Sequence, residues 1–284
     1  LIQAETYRVN PKTQFDCAPS IMCYTKALEI YLRDIVFKNF GDLIKTSDNF
    51  KDQVIFEEKE ILSQSNTPYT IFTPYKNNHL KRIFDEGIPS FDCESFKKNL
   101  AKFKSKPLQP LIEIGFENSN LLSMNLPLGT SGGLALIKDF RVRIKNYNEH
   151  RNFPGVKGVS YLSIHNRFGT VSIRHLAKIA LESGSQGSTT WLNELIWRDF
   201  YFQILSNFPH VQDGKTFKIK YNNLKFENDE KKFKAWINGE TGFPIVDAGM
   251  RQLNSTGYMH NRLRMIIACF LVKDLLIDWR WGEK

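Results

Sequence analysis

Cysteine is scarce: Cys17, Cys23, Cys93 and Cys269 form no CxxC pair and stand beside no histidine cluster, which argues against a zinc site and a disulfide framework. Long apolar runs are missing too. The longest, residues 265–272, is too short to span a bilayer and is followed by Lys273 and Asp274. The chain shows no cationic leader with a cleavage site, no Walker or GxGxxG pattern, no internal repeat and no low-complexity tract. These absences leave a reduced, cytoplasmic protein without a membrane segment. Beginning at Leu1 and ending at Lys284, the chain reads as a fragment open at both ends.

Aromatic residues, by contrast, are plentiful, at 13% of 284 residues with 22 Phe, so rings are available for stacking on ligands. The formal net charge of +9 favours a polyanionic partner, nucleic acid being the commonest. Residues 1–10 have strand character up to Pro11, and residues 27–40 carry Leu28, Tyr31, Leu32, Ile35 and Val36 at helical spacing before Gly41. Short apolar stretches at 54–56 and 69–73 read as strands, so residues 1–98 are expected to be α/β. Residues 99–130, with Pro107, Pro110, Pro127 and Gly129, lack a period and read as a connection. From 131 the texture is helical: Leu136, Phe140, Ile144 and Tyr147 share a stripe, and Ser172 is placed to cap a helix.

The chain is organised around residues 189–205, TTWLNELIWRDFYFQIL. Helical winding brings Glu194, Trp197, Arg198 and Tyr201 onto one face. A carboxylate, an indole, a guanidinium and a phenol together suit a flat aromatic ligand with a phosphate nearby. A buried helix with a Glu194–Arg198 pair and packed aromatics is the competing reading. In residues 147–169 the hydroxyls of Ser160 and Ser163 lie near Arg151, Lys157 and Arg167; such a loop can face phosphates or simply join two helices. Gly242-Phe243-Pro244 opens a short helix in which Ala248 and Gly249 permit close approach of a ligand or another helix. After the turn at residues 255–257, Asn261, Arg264 and Met265 share a face of an otherwise apolar helix. Polar groups there need partners, whether a bound polar ring or, for Asn261, a capping role.

Three motifs, WLNELIWRDFY at 191–201, GETGFPIVDAGMRQLNSTGYMHNRLRM at 239–265 and FLVKDLLIDWRWGE at 270–283, resemble the DNA photolyase/cryptochrome family. PYTIFTPYKN at 68–77 is similar to the end of that family's N-terminal α/β antenna domain, and the resemblance covers about residues 68–284. It implies a partial Rossmann-like antenna domain over 1–98, a connection over 99–130 and an all-α FAD-binding domain over 131–284. FAD contacts are implied for Tyr147, Val159, Ser160, Tyr161, Leu162, Ser163, Trp191, Arg198, Asn261 and Arg264. Asn261 would face the flavin N5, and Arg264 would pack against the isoalloxazine. Glu194, Trp197, Tyr201 and Met265 would meet a flipped-out pyrimidine dimer in DNA, with Arg151 and Arg262 on the flanking phosphates.

The implied activity is light-driven repair of cyclobutane pyrimidine dimers by a monomer, with a blue-light photoreceptor as the alternative. Asn261 after Met259-His260, together with Met265, resembles the bacterial class I dimer photolyases. Trp279 matches the middle member of the family's electron-transfer tryptophans, whereas the outer position falls on Phe226 and the inner one beyond Lys284. Tyr221, Trp236 and Tyr258 are candidate substitutes. A second antenna chromophore, folate or deazaflavin, is also implied, and Thr67 near the place of the family's folate-binding acidic residue weighs against folate.

Overall fold

The computed structural model describes residues 54–90, 113 and 126–283, and among them the regular structure is helical, without strands. The strand expected at 1–10, the helix at 27–40 and most of the connection at 99–130 lie outside the described residues. Helix α1 spans Phe72–Glu86. Helix α2, Gly129–Arg143, passes through a 3-10 turn, Ile144–Asn146, into the short α3, Tyr147–His150. Then come α4, Ser163–Phe168, α5, Ile173–Ser183, and the long α6, Gln186–Asn207. The second half holds α7, Glu230–Asn238, α8, Pro244–Thr256, α9, Asn261–Cys269, a π turn, Phe270–Asp274, and α10, Trp279–Glu283. None of the helices among the described residues is long and apolar enough to cross a membrane.

The two short strands expected at 54–56 and 69–73 are not formed. Val54, Ile55 and Phe56 are buried in a bend, where the Asp199 carboxylate accepts from Ile55 N (2.8 Å) and Phe56 N (3.4 Å). Arg174 Nε donates to Ile55 O at 3.1 Å. The backbone groups a strand would offer to a neighbour are therefore taken up by side chains. At 69–73 the extended residue is Ile71, and α1 begins at Phe72 with Pro74 in its first turn, where the missing N–H breaks no helical bond.

Helices α1 to α6 share one core, in which Ile55, Phe56, Tyr75 and Ile83 meet Ile137, Phe140, Ile144, Leu176, Leu195 and Ile196. Helix α6 is its axis. Its start is fixed by a reciprocal pair: Ser185 Oγ accepts from Ser188 N, and Ser188 Oγ accepts from Ser185 N. Gly187 lets this end approach the Ile144–Asn146 turn, since a Cβ would sit 2.1 Å from Ile144 O. Ser172 caps α5 as expected, accepting from His175 N.

The second core is built by α7 to α10 around Trp236, Met250, Ile267, Leu271 and Ile277. Asp229 caps α7 through Lys231 N and Lys232 N. Asp247 on α8 folds the preceding turn back, accepting from Thr241 N, Thr241 Oγ1 and Gly242 N. Gly249 serves close packing, its missing Cβ making room for Ile267 of α9, while Ala248 is exposed. The cores meet through polar and aromatic bridges. Arg262 donates twice to Asn152 Oδ1 (2.6 and 3.2 Å), the rings of Tyr161 and Tyr258 lie 6.4 Å apart, and Arg280 Nε donates to Gly214 O.

Asp199 also accepts from His79 Nε2 at 3.2 Å, with both side chains fully buried. Replacing Asp199 with Ala strands two buried amides and one imidazole donor. The expected loss is about 3 kcal/mol in denaturant unfolding, and a loss under about 1 kcal/mol would show that the bend is held by packing alone.

Candidate functional site

Helix α6 has two sides of different character. Trp191, Leu192, Leu195, Ile196, Asp199, Phe200, Gln203 and Ile204 are buried, whereas Glu194, Trp197, Arg198 and Tyr201 are all half-buried, on the face read from the sequence. The i,i+4 pair considered for Glu194 and Arg198 gives way to other partners. Glu194 Oε1 accepts from Arg151 Nη1 at 2.6 Å, across from α3 to α6. Arg198 lies 4.6 Å over the Phe202 ring and donates to Asn166 O at 3.4 Å.

The Arg151 guanidinium also sits 5.4 Å over the Tyr147 ring. Burial pushes the Tyr147 phenol far above its ordinary range, with the Glu194 charge adding to the shift, so the hydroxyl stays protonated. Burial opposes the Arg151 charge, and Glu194 outweighs it, raising the guanidinium above its ordinary value. Beside this pair Asn152 holds Arg262, whose Nη1 also lies 3.3 Å from Met265 Sδ. Arg151, Glu194, Arg262 and Met265 are thereby brought together where α3, α6 and α9 approach.

The loop from 157 to 163 is shaped by Arg143, whose Nη1 donates to Lys157 O (2.6 Å) and Val159 O (3.2 Å). Tyr161 adopts a left-handed conformation, φ 58°, and is exposed, as is Ser163. Ser160 Oγ accepts from Leu162 N. Tyr147, Leu162 and Trp191 are buried in the first core, with Phe140 meeting both Tyr147 and Trp191 edge-on.

On α9, the capping alternative for Asn261 is not realised. His260 is the cap, its Nδ1 accepting from Arg262 N, and Asn261 is exposed at the first helical position. Arg264 is half-buried, with Nε donating to Met259 O at 3.0 Å. Trp279 is buried beneath Arg280, 4.5 Å above its ring, and Phe226 is half-buried. Trp236 is fully buried and donates to Ile267 O; Tyr258 is half-buried and Tyr221 exposed.

Two buried polar atoms at this junction meet no partner among the described residues, Asn166 Oδ1 on α4 and His260 Nε2 at the start of α9. With Nδ1 accepting, His260 carries its proton on Nε2 and is a buried donor. Asp199, Asn152 and His260 escaped the sequence reading. Asp199 had a visible signal, a carboxylate in register with Leu192, Leu195 and Ile196 on a core face.

Burial, and then the Arg262 charge, hold the His260 pKa below its ordinary 6.5. The unfolded chain takes up that proton first as pH falls, so this contribution is complete above about pH 6.5 and is lost on acidification. Thermal unfolding at pH 7.5 and 5.5 should differ less for His260→Asn, which keeps a capping acceptor, than for the parent. Equal acid sensitivity would remove His260 from the account.

Residues 191–284 match the family model described as the FAD binding domain of DNA photolyase. The deoxyribodipyrimidine photo-lyase of Escherichia coli K12 is 38% identical over 244 residues, covering 84% of this chain and 51% of the relative. That of Vibrio cholerae is 47% identical over 156 residues, 53% of this chain and 33% of the relative. The chain spans about half the length, or less, of the relatives it matches. A bacterial class III photolyase from Agrobacterium tumefaciens superposes with TM-score 0.68 at 31% identity, over 82% of this chain and half of that one. A cryptochrome of Synechocystis superposes with TM-score 0.62 at 27% identity, over 81% and 48%. From its paired helical cores to the sequence of α6, α8 and α9, this chain belongs to the DNA photolyase/cryptochrome family.

Proposed function

We propose that the chain is the helical, flavin-bearing part of a deoxyribodipyrimidine photo-lyase that repairs cyclobutane pyrimidine dimers in DNA under light. The observation that carries the reading is the arrangement about α6, where Glu194 is ion-paired with Arg151 on the same face as the half-buried Trp197, Asn152 beside Arg151 holds Arg262 of α9, and two buried polar atoms, Asn166 Oδ1 and His260 Nε2, meet no partner among the described residues. The same reading assigns an antenna-type region to residues 1–98, a connection to 99–130 and the flavin domain to 131–284. A second antenna chromophore, folate or deazaflavin, belongs to that first region.

The residues fit FAD. A buried donor, His260 Nε2, and a buried acceptor, Asn166 Oδ1, suit a ligand with polar edges of both kinds, and Arg198 beside Asn166 supplies charge for a diphosphate. Tyr147, Leu162 and Trp191 wall the pocket from the first core, the Val159–Ser160–Tyr161–Ser163 loop offers hydroxyls and backbone amides, and Asn261 and Arg264 approach from α9. Bound there, FAD supplies the light-driven electron that opens the dimer.

The chain's own residues bind and orient the lesion. Trp197 stacks on an extruded pyrimidine, and an extruded dimer costs less to unstack than normal bases. Arg151 holds Glu194 through Oε1, which leaves Oε2 for a base edge. Tyr201 and Met265 line the same rim. Arg262, positioned by Asn152, meets a flanking phosphate, and the net charge of +9 attracts the backbone generally. Trp279, buried at the start of α10, is the electron relay. A photoreceptor without repair activity is the second reading, favoured by the likeness to the Synechocystis cryptochrome.

Blue light on the flavin-loaded chain with a dimer-containing oligonucleotide should restore intact thymines; an unchanged oligonucleotide would favour the photoreceptor. Trp197→Ala should weaken binding of that oligonucleotide on the order of tenfold while flavin absorbance is retained. Unchanged binding would remove the indole as the stacking surface. Arg198→Ala should purify with most of its flavin lost, and full occupancy would overturn its assignment.

A further inference from the structure

Two rings stack on Trp197, Phe72 closely over one face and Tyr201 farther off, with centroids 5.2 Å apart and planes at 22°. The Phe72 ring lies parallel to the indole, with centroids 3.5 Å apart and planes at 9°. Two free rings favour offset or edge-on arrangements, so a nearly cofacial pair is imposed by its surroundings. Those surroundings are visible. Phe72 is the first residue of α1, whose start is stiffened by extended Ile71 and by Pro74. The segment entering α1 and the middle of that helix are both tied to α6, Gln203 Nε2 donating to Tyr69 O at a part-buried point (2.7 Å) and Asp199 accepting from the buried His79 (3.2 Å). Phe200 stands edge-on to both rings, 5.7 Å from Phe72 and 5.6 Å from Trp197.

We infer that Phe72 is a positioning residue for lesion recognition: it backs the indole, fixes its plane and leaves a pyrimidine only the part of the indole that Phe72 and Tyr201 do not cover. This rests on the repair reading above, in which Trp197 is the stacking surface. A leucine at 72 fills much of the same volume without holding a ring plane. A tyrosine keeps the ring. The indole of a leucine variant rocks, and a base stacks on it less well, while contacts to undamaged DNA through arginines and lysines do not depend on Phe72.

The test compares Phe72→Leu, Phe72→Tyr and Trp197→Ala in the flavin-loaded chain. Binding is measured to an oligonucleotide carrying one thymine dimer and to its undamaged counterpart, with flavin absorbance and melting temperature followed in parallel. Phe72→Leu should raise Kd for the dimer about three- to tenfold with undamaged DNA unaffected, and Phe72→Tyr should restore it. In a Trp197→Ala background, Phe72→Leu should add nothing further. If Phe72→Leu binds the dimer like the parent while Trp197→Ala does not, or if it weakens both DNAs equally, Phe72 is packing only and the inference fails with the repair reading intact. Parent-like binding by Trp197→Ala would overturn the stacking assignment itself, and this inference with it.

Discussion

The fold depends on a buried carboxylate. Asp199 sits in the middle of α6, on the side turned to the core, and takes hydrogen bonds from two backbone amides of the 54–56 bend and from His79 of α1. A buried carboxylate needs donors, and Asp199 gathers all three on Oδ2, while Oδ1 meets none among the described residues. That requirement draws a distant loop and a distant helix to one point on α6 and so fixes its rotation about its own axis. Because Trp197 and Arg198 directly precede Asp199, the anchoring that orients the core side orients the opposite side as well.

The division of α6 explains how one helix serves both stability and chemistry. Its buried side is apolar apart from Asp199, Gln203 and Ser188, each with a hydrogen-bonding partner, and the remaining side carries groups whose partners come from α1, α4 and the corner after α3. Arg151 and Asn152, adjacent in sequence, reach in different directions, one to Glu194 on α6 and one to Arg262 on α9. A two-residue corner after α3 thus couples two hydrophobic cores through polar contacts. Such contacts can be rearranged around a ligand more cheaply than interlocked apolar side chains.

Much of this was legible in the chain. The half-buried face of α6 followed from helical spacing, the Ser172 cap from residue chemistry, and the Pro244 start of α8 from proline's tolerance in a first turn. The apolar triplet at 54–56 was misread as a strand because a short buried run has no period of its own, and its amides find a carboxylate far along the chain. At 69–73 the β-favouring residues simply precede a helix start. Phe72 against Trp197 and Arg151 against Glu194 are contacts between remote segments that no local pattern encodes. Asn261 looked like a cap because asparagine is good at it, yet the neighbouring imidazole took the role.

After Cys269 the backbone widens for one turn, with Leu275 N bonding to Phe270 O and Ile277 N to Leu271 O. The helix ends at this turn: Leu276 takes a left-handed conformation, φ 51°, and α10 begins only at Trp279. Beyond that break Gly282 lies against Leu271 and Trp236, and Trp279 is buried. A Cβ at position 282 would stand 2.5 Å from Leu271 Cδ2, so the last helix can lie against the π turn only because that position carries no side chain.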